Sequence, residues 1–375
     1  MSEKTNLKIS DESKNNDLIN LEFINENKLY SPICNKKYKK NDQLISIKYE
    51  IPIEYINIST EINNIDDLIK LTYDYPLITY IKYNINMYAI HNIKDDLIIL
   101  NDMIGMRSLK NSICDQIIYF IQDLHNISPN NEDFLHTVIY GPPGTGKTEI
   151  AKIMGNIFSK LGILKEGTFK KVTRSDFIAG YLGQTTLKTK NLIKESLGGV
   201  LFIDEAYALG NKEKNDSFAK EAIDTLCEAL SDYKKELMVI IAGYEDELKY
   251  CFFNYNSGLE SRFTWRFKTD DYKANELMAI FLKKVKDSNW SYNGYTLKKP
   301  WFEEKMSYFK YYGRDMETLF SKCKLAHSKR VFCKSKKEKT ILNDTDLDKG
   351  FILYLSNDEV KNRTYSEKNI YSMYS

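Results

Sequence analysis

The sequence predicts an α/β fold: a parallel sheet covered by helices, followed by a small helical domain. Three observations carry this reading. Short apolar runs alternate with segments of helical periodicity between residues 136 and 244, the pattern of strands joined by crossover helices. The glycine-rich string GPPGTGKT stands between one such run and one such helix. The string GVLFID carries four apolar residues, Val200 to Ile203, and then turns acidic, as a buried central strand does where it emerges at a ligand-facing sheet edge.

The elements follow in order. Residues 1–17 are polar and charged and are expected to form a disordered tail. Residues 18–97 hold NLEFI, LISIKYEIPIEYINI and PLITYIKYNINMYAI. These alternate weakly and read as strands, with a helix starting near Asn64 and Ile65: an α+β or β-rich N-terminal region of unknown role. It has no chemical motif. Lys36, Lys37, Lys39 and Lys40 around Tyr38 read as a solvated turn or as phosphate contacts. Residues 98–270 form the α/β core. GMRSLKNSICDQIIYFIQDLHNI reads as one amphipathic helix ended by Pro129. Strand HTVIY, a helix from Lys147 to about Leu161, strand FKKV, helix TTLKTKNLIKESL, strand GVLFID, helix SFAKEAIDTLCEALSD and strand LMVIIAGY come next. Residues 271–356 form the helical domain, with helices over ANELMAIFLKKVK, WFEEKMSYFKYY and DMETLFSKCKLAHSKR, and 357–375 are a tail.

Composition narrows the class. Of 375 residues, 42% are hydrophobic and 28% charged, with a net charge of +2. That balance is ordinary for a globular protein and too neutral to indicate wholesale binding to nucleic acid or membrane. No apolar run approaches the roughly 18–20 residues that span a bilayer, and MSEKTNLKISDESKNND has no apolar stretch of a secretory signal. A soluble, intracellular protein is expected. The six cysteines form no CxxC pair and the four histidines have no metal-ligand spacing, so free thiols and no structural zinc are expected.

Two motifs carry chemistry. GPPGTGKT spans Gly141, Pro142, Pro143, Gly144, Thr145, Gly146, Lys147 and Thr148, followed by Glu149. It fits GxxxxGK[ST] between a strand and a helix, the setting of a phosphate-binding loop. Its glycines let backbone N–H groups turn inward, and the helix N-terminus adds positive potential. Lys147 can reach the β- and γ-phosphates, and the Thr148 hydroxyl can hold Mg²⁺. In GVLFIDEAY, Asp204 is placed to bind Mg²⁺ through water, and Glu205 to orient and polarise an attacking water. Together the motifs point to a nucleoside triphosphatase that uses Mg²⁺.

The strings GPPGTGKT, AGYLGQT, GGVLFIDEAYAL and IIAGYEDEL, in this order, resemble the CbbX (CbxX/CfxQ) group of AAA+ ATPases, which is similar to stage V sporulation protein K. The resemblance covers roughly residues 98–330 and stops short of the first 97. It implies a P-loop AAA+ core with a helical lid, ATP hydrolysis and a homo-oligomeric ring, a hexamer, that remodels a protein substrate. It also gives the two copies of IAGY, at 178–181 and 241–244, separate roles. Tyr181 with Leu182 matches the aromatic loop that lines the central pore of such rings. Tyr244 ends the strand where many AAA+ proteins place a sensor, often Asn. Arg262 in SGLESRF matches the arginine presented to a neighbour's γ-phosphate, with Glu260 where the group often has a basic residue. Arg314 in YYGRDMETL matches the second sensor, with Glu317 replacing a basic residue. Ile104 and Gly105 in DMIGM match the segment that contacts the base.

Plainer readings stand beside these. Tyr181 could pack on the adjacent helix, Arg262 could pair with Glu260 or Asp270, and Arg314 could be a solvated arginine. The basic run Lys322–Lys339 reads as the solvated face of a lid helix, or as a nucleic-acid contact that would make the protein a replication or packaging factor. A nucleotide-controlled scaffold with little hydrolysis is a third possibility, against which the intact Glu205 argues.

Overall fold

The computed structural model describes residues 33–40, 43–50, 52–127, 133–181, 183–213, 215–295, 297, 299–361 and 363. The expected disordered tail 1–17, the string NLEFI and Leu182 lie outside them. The chain divides into two compact units, residues 1–60 with 76–85, and residues 61–75 with 86–375.

In the first unit, β1 (Ile33–Lys40) and β2 (Gln43–Glu50) pair antiparallel. The lysines at 36, 37, 39 and 40 therefore lie in a strand, where a turn was expected. β3 (Glu54–Ile56) pairs in parallel with β4 (Ile81–Tyr83).

The second unit begins earlier than the sequence suggested. Helix α1 (Ile65–Asp74) is capped by Asn64, whose side chain accepts the Asp67 N–H at 3.1 Å. The string MYAI, read above as part of a strand, starts helix α2 (Met87–Asn92), and α3 (Lys94–Asn101) follows. Asn86 caps α2 by accepting the Ala89 N–H, a local bond that favours a helix start over a strand. These helices belong to the second unit and pack beside α5: Asp96 on α3 is buried and pairs with Lys160 at 2.6 Å.

Helix α4 (Arg107–Ile121) is shorter than the expected single helix, because Asp123 takes a left-handed φ of 59° and a 3₁₀ turn follows. Then come β5 (Thr137–Tyr140), α5 (Lys147–Lys160), β6 (Phe169–Val172), α6 (Arg174–Phe177), α7 (Gln184–Lys194), β7 (Val200–Ile203), α8 (Ser217–Asp232), β8 (Met238–Gly243), α9 (Glu245–Cys251), α10 (Ser257–Arg262) and β9 (Trp265–Lys268). The five strands form one parallel sheet in the order β6-β7-β8-β5-β9. Every residue of β5, β7 and β8 is buried, which is why these strands read as unbroken apolar runs. Edge strand β9 alternates partly buried, exposed, buried, exposed, and its string WRFK did not stand out in the sequence.

After β9 the chain is mostly helical: α11 (Ala274–Asp287), α12 (Lys299–Lys305), α13 (Tyr312–Arg330) and α14 (Asp344–Leu355). Two strands were not expected there, β10 (Ser291–Tyr292) and β11 (Ile341–Leu342), which form a two-residue parallel pair. Aromatic rings of Phe281, Trp301, Phe302, Phe309, Phe351 and Tyr354 fill the lid. The basic run is not a uniform outer face. His327 is buried and meets Asp346 at 2.9 Å, and Arg330 turns inward to the same carboxylate at 2.8 Å. Residues 358–361, read as tail, are helical, and Val360 among them is buried. Cys114, Cys227, Cys251 and Cys323 are buried free thiols and Cys333 an exposed one.

His136 fixes the end of the sheet away from the glycine-rich loop. It is fully buried; its Nδ1 accepts the Val239 N–H at 3.1 Å and its Nε2 donates to the Leu230 carbonyl at 3.0 Å. Protonation would destroy the acceptor that holds Val239, and burial pushes the imidazole pKa down to about 4. An unfolded histidine titrates near 6.5, so this contribution is complete above that value and is lost as pH falls toward 4. Unfolding free energy should drop by about 2 kcal/mol from this group between pH 7 and 5. Urea denaturation of wild type and His136→Gln at both pH values checks this: the wild-type slope should exceed the variant's.

Candidate nucleotide site

Three glycines shape the loop between β5 and α5. Gly141, Gly144 and Gly146 all have positive φ, at 155°, 78° and 85°. Space is as restrictive as φ at Gly144. A Cβ there would lie 2.1 Å from the Tyr311 carbonyl and 2.8 Å from the Arg314 nitrogen. The start of α13 thus rests on the loop's backbone, and the Gly313 N–H donates to the Gly144 carbonyl at 3.1 Å. Lys147, the first residue of α5, is buried, and its Nζ donates to the carbonyls of Gly141 and Pro142, both at 2.8 Å.

The strand ends bring the acids to this loop. Asp204 and Glu205 follow β7, and Glu205 adopts a left-handed φ of 53°. Burial lowers the Lys147 pKa, Glu205 and Asp204 oppose that shift, and Arg314 adds to it. Burial and the neighbouring Asp204 raise the Glu205 pKa, while Lys147, Arg314 and Lys171 pull it back. Tyr244, just past β8, feels Glu205 and Arg314 as well. Four separate stretches, 147, 204–205, 244 and 314, therefore share one electrostatic neighbourhood. Asp204 is held by Lys171 on β6, at 2.6 Å.

A cavity of about 260 Å³ opens beside the loop, lined by Met103, Ile104, Met106, Gly144, Gly146 and Tyr272, with Glu149 also at its wall. Gly105 has a φ of 72°, and a Cβ there would meet the Tyr272 ring at 2.8 Å. These features fit a nucleotide: an apolar slot for a base, a loop with no room for side chains, and an ammonium at its end. The Thr148 hydroxyl and the Asp204 carboxylate are hard oxygen donors of the kind Mg²⁺ takes alongside phosphate oxygens.

Arg262 is not brought to this group. It ends α10, where its Nε donates to the Ser231 hydroxyl at 2.7 Å and its Nη1 to the Gly258 carbonyl at 2.6 Å. It lies near His136, at the other end of β5. Neither suggested acidic partner holds it: Glu260 is paired with Arg266 at 3.2 Å, and Asp270 accepts the Ser108 N–H at 2.8 Å. Tyr181 is 74% exposed and does not pack on the adjacent helix. A Cβ built on Gly180 or Gly183 meets nothing within 4 Å. The base of its loop is pinned, since Lys188 Nζ donates to the Ser175 and Ile178 carbonyls at 2.6 and 2.8 Å.

Sequence reasoning missed the strap 269–272. The Thr269 hydroxyl is buried beside Gly141 with no hydrogen-bond partner among the described residues. Asp271 accepts the Tyr312 hydroxyl at 2.9 Å, and the Tyr272 hydroxyl donates to the Thr145 carbonyl at 3.4 Å. The signal was the string TDDY after β9, at a strand's C-terminal end; with β9 unread, it had no anchor.

Comparison with known proteins agrees with this geometry. Residues 137–268 match the model of the ATPase family associated with various cellular activities (AAA). A cfxQ-like protein of Acanthamoeba polyphaga mimivirus is 38% identical over 341 residues, covering 89% of this chain and 82% of that protein. With about a tenth of the chain left out, that match reaches into the first 97 residues, which the motif resemblance did not. Stage V sporulation protein K of Bacillus subtilis is 35% identical over 194 residues, 51% of this chain and 60% of that protein. A crystal structure of the FIGL-1 AAA domain in complex with ADP superposes with a TM-score of 0.50 at 18% identity, covering 71% of this chain and 88% of that one, a likeness of fold.

The contact at Gly144 yields a prediction. Gly144→Ala should push the lid off the loop and weaken nucleotide binding by roughly 30- to 1,000-fold, since strained φ and steric overlap each cost about 1–2 kcal/mol. Titration with a fluorescent ADP analogue measures it.

Proposed function

The chain belongs to the CfxQ-like group of AAA+ ATPases, and from that premise we propose that it hydrolyses ATP with Mg²⁺ as a ring of identical subunits that remodels a protein partner. The observation that carries the ATPase chemistry is the convergence of Lys147, Asp204, Glu205 and Arg314 on one glycine-rich loop. In this reading Ile104 and Gly105 border the base, and residues 141–149 wrap the phosphates. Lys147 exchanges its two carbonyl partners for β- and γ-phosphate oxygens. Thr148 and Asp204 hold Mg²⁺, whose charge would offset that developing on the phosphates. Asp204 leaves Lys171 to do so.

Glu205 orients and polarises the attacking water. Its backbone is left-handed, at a cost of about 1–2 kcal/mol that an ordinary loop residue would avoid. Tyr244 and Arg314 face the same space, from the sheet and from the lid. Arg262 lies at the other end of β5 from its own subunit's glycine-rich loop, which favours action in trans, on a neighbour in a homo-oligomeric ring such as a hexamer. The exposed Tyr181, on a pinned base between open glycines, suits an aromatic grip on a threaded polypeptide. No described helix is long and apolar enough to cross a membrane. The inward turn of His327 and Arg330 weakens the nucleic-acid reading of the basic run.

Specific ATPase activity should rise with protein concentration. Glu205→Gln should lower turnover by at least about 100-fold while ATP still binds, and Arg262→Ala should abolish the concentration dependence together with most activity. Steady-state phosphate release across a dilution series decides it; activity independent of concentration would sink the trans role of Arg262. For the remodelling role, an unfolded polypeptide such as casein should stimulate wild-type turnover, and Tyr181→Ala should lose that stimulation. Equal stimulation of both would remove Tyr181 from the substrate path.

A further inference from the structure

The C-terminal segment reaches the lid face that meets the glycine-rich loop. Residues 358–361 form a helical turn with Val360 buried, and Arg363 follows. The Arg363 Nη1 donates to the Asp315 carboxylate at 2.9 Å and its Nη2 to Glu359 at 2.6 Å. Its guanidinium carbon lies 3.7 Å from the centre of the Tyr311 ring, within the range of a cation–π contact.

Those partners are the residues that set the start of α13. The Asp315 side chain is 2% exposed, and its other oxygen accepts the Tyr311 N–H at 2.7 Å. Tyr311 in turn accepts the Arg314 N–H at 2.9 Å, and its carbonyl occupies the space that a side chain at Gly144 would need. The Arg314 guanidinium lies 6.0 Å from the same Tyr311 ring. One aromatic ring thus has an arginine from the lid helix and an arginine from the C-terminal segment within reach. Without Arg363, a buried carboxylate would lose its cationic partner at the point where lid and loop touch, a change that favours rearrangement of the pair's surroundings.

We propose that Arg363 is a positioning residue of the ATPase site: it clamps Asp315 and Tyr311 and thereby sets where Arg314 stands over the loop. Residues 358–361 and Arg363 are then part of the nucleotide machinery, and whatever displaces them loosens the lid's grip. This rests on Arg314 contacting the nucleotide.

The experiment compares full-length wild type, Arg363→Ala, Arg363→Lys, Arg314→Ala and the Arg314→Ala/Arg363→Ala double variant. KM for ATP, kcat and thermal melting are measured for each. Arg363→Ala should raise KM roughly tenfold, more than it lowers kcat, and Arg363→Lys should recover part of that loss. In the Arg314→Ala background, removing Arg363 should change KM by less than about twofold. If Arg363→Ala melts below the assay temperature, Arg363→Gln, which keeps a donor for Asp315 but no charge, takes its place. A wild-type KM for Arg363→Ala beside an impaired Arg314→Ala would overturn the role of Arg363 alone. Full additivity of the two losses would also overturn it, since Arg363 would then act by another route. A silent Arg314→Ala would remove the reading of Arg314 itself, and this proposal with it.

Discussion

The backbones of Gly144 and of residues 311–313 approach so closely that neither admits a side chain between them. A single N–H to carbonyl bond, Gly313 to Gly144, joins the loop that follows β5 to the helix that opens the lid. Most of the site depends on this approach. It brings Arg314 into the electrostatic neighbourhood of Lys147 and Glu205, puts Gly313 in the wall of the cavity beside the loop, and places Tyr311 where Asp315 and Arg363 can hold it. The strap 269–272 reinforces it from the side: Asp271 binds the Tyr312 hydroxyl, Tyr272 binds Thr145, and the two rings lie 5.3 Å apart. Tyr312 takes a φ of 40°, a strained value for a tyrosine, held by these contacts.

The sheet supplies the rigid side of that junction. β5, β7 and β8 are buried throughout, so their register is fixed by packing on both faces and their ends are placed with little freedom. Lys147, Asp204, Glu205 and Tyr244 are all set at the C-terminal ends of these strands. The opposite ends are tied by His136, which bridges Val239 and Leu230 and stands near Arg262. Arg262 and the cluster of Lys147, Asp204, Glu205 and Tyr244 are thus separated along the same strands. Burial keeps His136 neutral, which spares Arg262 a second positive charge beside it.

The motifs could be read from the sequence because each is local. A strand, a glycine-rich turn and a helix start need only a dozen consecutive residues to define the loop at 141–148, and the acids at 204–205 are positioned by the four apolar residues before them. The same holds for the helix at Asn64, signalled by its cap, and for the exposed loop at Tyr181, whose glycines mark it. Where pattern was weak, reading failed: β9 shows one buried residue in four, the string MYAI suits a strand or a helix, and the first helix of the core was drawn too long across Asp123.

The α/β class, the loop and the acidic strand end were all written in short stretches of residues, since backbone geometry over a few positions is enough to specify them, whereas the candidate arginines came only from the resemblance of their strings to the family. The pairing of Lys171 with Asp204, the strap 269–272, the lodging of Arg262 against Ser231 and the return of Arg363 to Asp315 were not so written. Each joins residues tens of positions apart or more whose individual environments look ordinary in the chain. Only when sheet, lid and C-terminal segment are packed together do these side chains meet, because a charge that several elements enclose must find its partners among the groups those elements bring to it.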